Sequence, residues 1–124
     1  MVVDTSIILA VFFNEERGYW AAKKMTEHAA DLRMSTVSLT EVLIKLEDRQ
    51  PQQFALLRKK LLDSNIRFVA PNLEQAELAA KYRLRYPLNL GDCFVVALAK
   101  KEGCPILTLD KDFTGVDAQV VMPE

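Results

Sequence analysis

One histidine, two cysteines and four glycines among 124 residues close off several kinds of chemistry. The histidine, His28, stands between Glu27 and Ala29 in a helical stretch and reads as a surface residue. A Ser-His-Asp triad and a histidine-rich zinc site therefore lack their essential member. Cys93 and Cys104 form neither a Cys-x-x-Cys pair nor a disulfide framework, and their apolar neighbours mark them as buried free thiols. Neither Gly-x-x-x-x-Gly-Lys-Ser/Thr nor Gly-x-Gly-x-x-Gly occurs, so no nucleotide-cradling loop is indicated. No apolar run approaches the ~20 residues that span a bilayer. Met1 leads into Val2, Val3 and an acid without a basic region or cleavage site, so a cytoplasmic protein is the expectation. Excess positive charge is missing too, with 16 basic against 17 acidic side chains and a net charge of −1. That balance argues against a module gripping nucleic acid through a basic surface. It leaves open an enzyme that meets phosphate through bound metal ions, whose charge the sequence count omits.

What is present is the material of one ordinary domain, expected to span residues 1–124. Half the residues are apolar and 27% are charged, as in a soluble globular protein with a real core. The β-prone start Met1 to Val3 runs into Asp4-Thr5-Ser6, a turn or helix cap. Helices are predicted over Ile7–Phe13 and Tyr19–Ala30, separated by Asn14 to Gly18. A second strand is predicted over Leu32–Val37, followed by a helix opening at Ser38-Leu39-Thr40-Glu41. Pro51 marks the start of the next helix, in which Phe54, Leu57, Leu61 and Leu62 recur at helical spacing. Ile66–Val69 reads as a third strand and Leu73–Arg85 as an amphipathic helix. Asp92–Lys101 is apolar nearly all round, the mark of a buried helix, and Gly103 ends it. Pro105–Leu109 and Ala118–Met122 complete the strands. Strands alternating with helices predict an α/β layer structure with a mostly parallel sheet of four to five strands. In such sheets the site lies beyond the carboxyl ends of the strands.

Four acids fall at that edge or one turn beyond it. Asp4 follows the first strand, Glu41 lies one turn into the helix after the second, Asp92 begins the buried helix, and Asp110 follows Ile106 to Leu109. Each has a structural reading as well. Asp4 can cap a helix, Ser38 to Glu41 fits a capping box, Asp92 suits a helix dipole, and Asp110 can brace a turn. As a set they suggest more, because converging anions repel one another and a hard cation relieves the repulsion. Oxygen-only ligands suit Mg²⁺ or Mn²⁺.

The stretches Met1-Val2-Val3-Asp4-Thr5-Ser6, Ser38-Leu39-Thr40-Glu41, Leu90-Gly91-Asp92 and Leu107-Thr108-Leu109-Asp110-Lys111-Asp112-Phe113 together resemble a PIN domain, and more narrowly a VapC-type toxin of a toxin–antitoxin pair. The resemblance runs through essentially the whole chain, and the segment from Leu90 to Phe113 is its most specific part. It implies a three-layer α/β/α fold and a metal-dependent endoribonuclease, cutting RNA to leave a 5′-phosphate and a 3′-hydroxyl. Its expected substrates include tRNA and rRNA. Asp4, Glu41, Asp92 and Asp110 match the family's acids, with Asp4, Asp92 and Asp110 expected to hold Mg²⁺ or Mn²⁺. Asp112 is an auxiliary acid, and the sequence leaves open whether it or Asp110 faces the metal. Thr5, Ser6 and Thr108 match positions where a small hydroxyl stands near the acids, although capping and strand-end bonding explain them equally well. Lys111, between two of the acids, is the candidate for substrate phosphate, while other basic residues such as Arg58, Lys59 and Lys60 read as solvated helix faces. The resemblance also implies a homodimer and a cognate VapB-type antitoxin, and no membrane association.

Three other readings fit the sequence less well. A receiver-like signalling domain needs an acidic pair after the first strand and an acceptor Asp after the third, where this chain has only Asp4 and Val69-Ala70-Pro71. An aspartate-nucleophile phosphatase needs a second Asp where Ser6 stands. A non-catalytic PIN scaffold binding RNA or protein is disfavoured by the complete set of acids.

Overall fold

The strands β1 (Val2–Val3), β2 (Arg33–Ser35), β3 (Arg67–Val69), β4 (Ile106–Leu107) and β5 (Val120–Val121) form one sheet in a computed structural model describing all 124 residues. Their order is β3-β2-β1-β4-β5 and every pairing is parallel. Parallel neighbours require crossovers, and helices supply them. Helices α1 (Thr5–Phe12) and α2 (Gly18–Glu27) link β1 to β2, α3 (Thr36–Arg49) and α4 (Phe54–Leu62) link β2 to β3, and α5 (Leu73–Arg85) and α6 (Leu90–Glu102) link β3 to β4. This order differs from the 2-1-3-4-5 arrangement of receiver domains, which removes that rival on topology.

The alternation of side chains across a strand sorts the core into two layers. Val3 and Leu107 point to one face, where Ile7, Ile8, Ala21, Val42, Leu46, Leu57 and Leu61 of α1 to α4 bury them. Val2 and Ile106 point to the other, against Ala79 and Tyr82 of α5 and Val95 to Ala99 of α6. The result is the three-layer α/β/α arrangement. Helix α6 is the apolar helix expected from the sequence, with Gly91 to Cys93 and Val95 to Ala99 buried. Gly103 closes it in the left-handed conformation (φ 64°) that glycine adopts without steric cost. No helix is long and apolar enough to cross a membrane.

Several predicted boundaries move, and each move has a local cause. The second strand stops at Ser35 rather than Val37, because the Ser35 hydroxyl accepts from the Val37 N–H at 3.2 Å and starts α3 at Thr36. Ser38 is therefore inside the helix and buried, Glu41 lies in its second turn, and the predicted capping box at Ser38 to Glu41 does not form. A capping box exists elsewhere: Asp92 N–H donates to Asn89 Oδ1 at 2.8 Å, and Asn89 N–H donates to Asp92 Oδ2 at 3.4 Å. Helix α6 thus opens at Leu90, two residues before the predicted start. The second helix ends at Glu27, with His28 half-buried at its C-cap. The register of the fourth strand ends at Leu107. The Thr108 N–H still donates to the Val121 carbonyl at 3.1 Å, while the Leu109 and Asp110 N–H groups donate to the Ser6 and Thr108 hydroxyls at the site.

Strands β2 and β3 extend the sheet on one side of β1, and β4 and β5 on the other. The topological switch point lies between β1 and β4, and Asp4 and Thr108 sit immediately beyond the ends of those strands.

Candidate metal centre and active site

Asp4 is the fixed point of the cleft. It is the N-cap of α1, as its position suggested, with its Oδ2 accepting from the Ser6 N–H at 3.4 Å. The same oxygen accepts from the Ser6 hydroxyl at 2.7 Å and from the Thr108 hydroxyl at 2.8 Å. Those hydroxyls are held in turn: Ser6 Oγ accepts from the Leu109 N–H and Thr108 Oγ1 from the Asp110 N–H, at 3.0 and 2.9 Å. Ser6 and Thr108 therefore tie the ends of β1 and β4 together through the Asp4 carboxylate. All three of these bonds go to Oδ2, which leaves Oδ1 of Asp4, a residue of the cleft lining, without a protein donor. Burial at 4% exposure raises the Asp4 pKa, the hydroxyl bonds offset part of that rise, and Asp110 adds to it.

Glu41 projects from α3 towards the same point. It is half-buried, and its Oε1 accepts from the Thr5 hydroxyl at 3.1 Å, which leaves Oε2 without a protein donor. Desolvation raises its pKa and Asp4 adds to the rise, while Thr5 and Lys45 oppose it. Asp92, in the first turn of α6, is buried. Its carboxyl is pushed up to about 7, first by desolvation and then by Asp4, against the lowering effect of the Asn89 N–H. Three buried or half-buried carboxyls with raised pKa values at one sheet edge identify a site under electrostatic stress.

Asp110 is the N-cap of a short 3₁₀ turn, Lys111–Phe113, with its Oδ1 accepting from the Asp112 N–H at 2.9 Å. Phe113 is fully buried and anchors the turn. The turn also brings Asp112 to the site: one carboxylate oxygen each from Asp92, Asp110 and Asp112 lie within 4.8 Å of one another. Asp4 stands outside that tightest group, which therefore pairs Asp110 with Asp112. Lys111 is exposed and does not line the cleft.

The cleft has a volume of about 180 Å³ and is lined by Asp4, Thr5, Ser6, Leu9, Glu41, Lys45, Asn89, Asp92 and Asp110. The four acids singled out in the sequence thus share one cavity. Three lining residues lie outside the sequence candidates: Leu9, which is apolar, and the polar Asn89 and Lys45. Asn89 caps α6 and orients Asp92, a role its place three residues before that acid would have revealed had the helix start been set correctly. Lys45 is the one cation of the lining, and its spacing of four residues from Glu41 puts it on the same face of α3.

The donor set fits a hard divalent cation. The side-chain oxygens of the lining come from carboxylates, hydroxyls and the Asn89 amide, with no thiol or imidazole among them. Oxygens around octahedral Mg²⁺ stand about 2.9 Å apart when adjacent and about 4.2 Å apart when opposite, so the carboxylates of Asp92, Asp110 and Asp112, now within 4.8 Å of one another, would draw together around the ion. The raised pKa of Asp92 comes first from its burial, and the charges of Asp4, Asp110 and Glu41 add to it.

A parallel α/β domain with an acidic cleft at its switch point is the class that this fold and site define, and the PIN domain model matches residues 1–119. The ribonuclease VapC42 of Mycobacterium tuberculosis is 33% identical over 126 residues, covering 94% of this chain and 95% of the relative. Among solved structures, M. tuberculosis VapC20, described as a sarcin-ricin loop cleaving toxin, superposes with a TM-score of 0.84 at 20% identity, covering 98% of each chain. A toxin–antitoxin complex from Klebsiella pneumoniae gives a TM-score of 0.76 at 22% identity, covering 99% of this chain and 97% of the other. This chain belongs to the PIN-domain family and, within it, to the VapC ribonucleases.

Proposed function

We propose that this protein is a metal-dependent endoribonuclease that hydrolyses RNA phosphodiester bonds, acting as the toxin of a VapBC-type pair. The observation that carries the reading is the convergence of Asp4, Glu41, Asp92 and Asp110 on one cleft at the switch point of the sheet. Asp92, Asp110 and Asp112 are the residues that would hold Mg²⁺ or Mn²⁺, with Asp4 supplying Oδ1 from the buried side. When bound, the cation supplies activation of water and positive charge opposite the phosphate. Glu41, held by Thr5 through one oxygen, uses the other to take a proton from the attacking water. Ser6 and Thr108 keep Asp4 from rotating, so its charge is already oriented before substrate arrives. Lys45 stands at the rim to meet a substrate phosphate, a role its exposed ammonium and position on the cleft suit better than those of Lys111. In-line attack then leaves a 5′-phosphate and a 3′-hydroxyl. The partners in this reading are a VapB-type antitoxin and a second copy of the chain, and the RNA target is a structured tRNA or rRNA in the cytoplasm.

The test is incubation of purified, antitoxin-free protein with a pool of tRNA and rRNA in Mg²⁺ or Mn²⁺, in EDTA, and with Asp92→Asn alongside. Discrete products that require both metal and Asp92 are expected. A folded, metal-replete wild type that leaves the whole pool intact would instead favour a scaffold that binds RNA or protein without cutting it.

A further inference from the structure

We infer that Gly91 is a positioning residue for Glu41: its missing side chain is the space into which the Glu41 carboxylate fits. The inference rests on the ribonuclease reading only for its effect on cleavage; the contact itself does not. A Cβ built on Gly91 would lie 2.6 Å from Glu41 Oε2, 2.7 Å from Oε1 and 2.8 Å from Cδ. Both oxygens and the carbon crowd the same spot, so turning the carboxylate about its terminal bond gives no relief. The carboxylate as a whole would have to shift away, and with it Oε1, which holds the hydrogen bond from Thr5.

The backbone gives no other reason for glycine there. Gly91 lies in the first turn of α6 without a positive φ, a conformation in which alanine is the better helix former. The nearest atoms to the added carbon all belong to the Glu41 carboxylate, and none is backbone. Gly18 shows the contrasting case. A Cβ there would lie 2.6 Å from the Ala10 carbonyl oxygen, so that glycine serves only the close packing of α1 and α2. Two glycines of similar crowding thus do different work, and the one in α6 sets how near Glu41 stands to Asp92, the next residue along the helix.

The experiment compares Gly91→Ala and Gly18→Ala by crystal structure, thermal unfolding and cleavage kinetics, with Gly91→Ala repeated in the Glu41→Asp background. In Gly91→Ala the Glu41 carboxylate should move by more than about 1 Å and lose Thr5. A misplacement of that size should lower kcat by about 100-fold with KM changed less than about two-fold. Its melting temperature should not fall, whereas that of Gly18→Ala should. In the Glu41→Asp background, where the shorter acid leaves room for the methyl group, Gly91→Ala should cost less than about three-fold. Glu41 still bonded to Thr5 in the Gly91→Ala structure, or an equal loss in both backgrounds, would overturn the inference. A displaced Glu41 in a protein whose wild type cuts no RNA would uphold the positioning role and reject the ribonuclease reading.

Discussion

The two edges of the sheet handle charge in opposite ways. At the N-terminal edge the amino group of Met1 donates to Asp31 Oδ2 at 3.1 Å, Arg33 pairs with Asp31 and lies 3.6 Å from Glu102, and Arg67 reaches Glu102 at 2.7 Å. Acids and bases alternate there, and Asp31 has its pKa lowered, chiefly by the Met1 amino group. At the C-terminal edge Asp4, Glu41, Asp92 and Asp110 share a cleft with Lys45 as their only cationic neighbour in the lining. There Asp4, Glu41 and Asp92 have raised pKa values, because burial removes water without supplying enough countercharge. Both edges belong to one rigid sheet, so the contrast reflects what each is for. Paired charges link neighbouring elements at one edge, while the carboxyls at the other lack partners, as the proposed metal site requires.

Removing one of the unpaired charges should have the largest effect. Asp4→Asn keeps an N-cap acceptor for α1 but removes the charge, and it should lower cleavage by about 10³-fold, within the range seen when one oriented electrostatic group is lost. The same variant should melt at or above the wild-type temperature without metal, since it relieves repulsion at the cleft. A large loss of stability would mean that Asp4 serves the fold first and that the contrast between the edges is misdrawn.

The pH dependence should separate the edges next. Asp4, Glu41 and Asp92 bind protons more tightly in the folded state than in the unfolded chain. Their influence therefore makes the metal-free protein less stable as pH rises from about 4 through about 7, the latter set by Asp92. Asp31 and Asp117 work in the other direction, contributing stability above their unfolded values that is lost as the solution becomes more acidic. A divalent cation competes with protons only at the cleft. Saturating Mn²⁺ at 100 times its Kd should stabilise by about 2.7 kcal/mol. The rise in melting temperature should be clearly larger at pH 8 than at pH 5, as differential scanning fluorimetry would show. Equal rises at both pH values would place the metal away from these carboxyls.

Breaking the paired edge should do the reverse of breaking the cleft. Arg33→Ala removes the link between Asp31 and Glu102 and should cost about 1–2 kcal/mol of stability, between the limits for exposed and buried pairs. Its rate of RNA cleavage per folded molecule should stay within two-fold of wild type, by urea unfolding and kinetics on the same preparation. The smallest effect belongs to the cleft's single cation. Lys45→Ala should weaken RNA binding a few-fold and reduce the slope of log affinity against log salt by about 0.7, the value for one phosphate contact on a single strand. An unchanged slope would remove Lys45 from the substrate path.

Much of this site was visible from residue order because a parallel α/β fold places strand ends at its functional edge. Asp4 and Asp110 directly follow strands, so finding the strands found the acids. Glu41 and Asp92 were harder, as both depend on where helices begin, and those boundaries follow from caps. Ser35 and Asn89 cap these helices, whereas residue type alone favours Ser38 and Asp92, and both helices begin two residues earlier than the sequence predicts. Asp112 gained a place beside Asp92 and Asp110 only through the 3₁₀ turn that Phe113 anchors, a short element with no periodicity to announce it. Lys45 was within reach of the sequence, being one turn from Glu41, and was obscured by the more numerous exposed lysines.

By itself the sequence determined the alternation of strands and helices, the buried character of α6, the acids at the strand ends and the scarcity of imidazole and thiol side chains. These are properties of residue type and local spacing, which the chain carries before it folds. The tertiary structure alone decided the strand order that sets β1 beside β4, the closing of α3 onto α6 that brings Glu41 over Gly91, and the rise of the Asp92 pKa to about 7. Each of these depends on distances between groups far apart in the chain and on the water excluded between them, and those quantities exist only once the layers have packed.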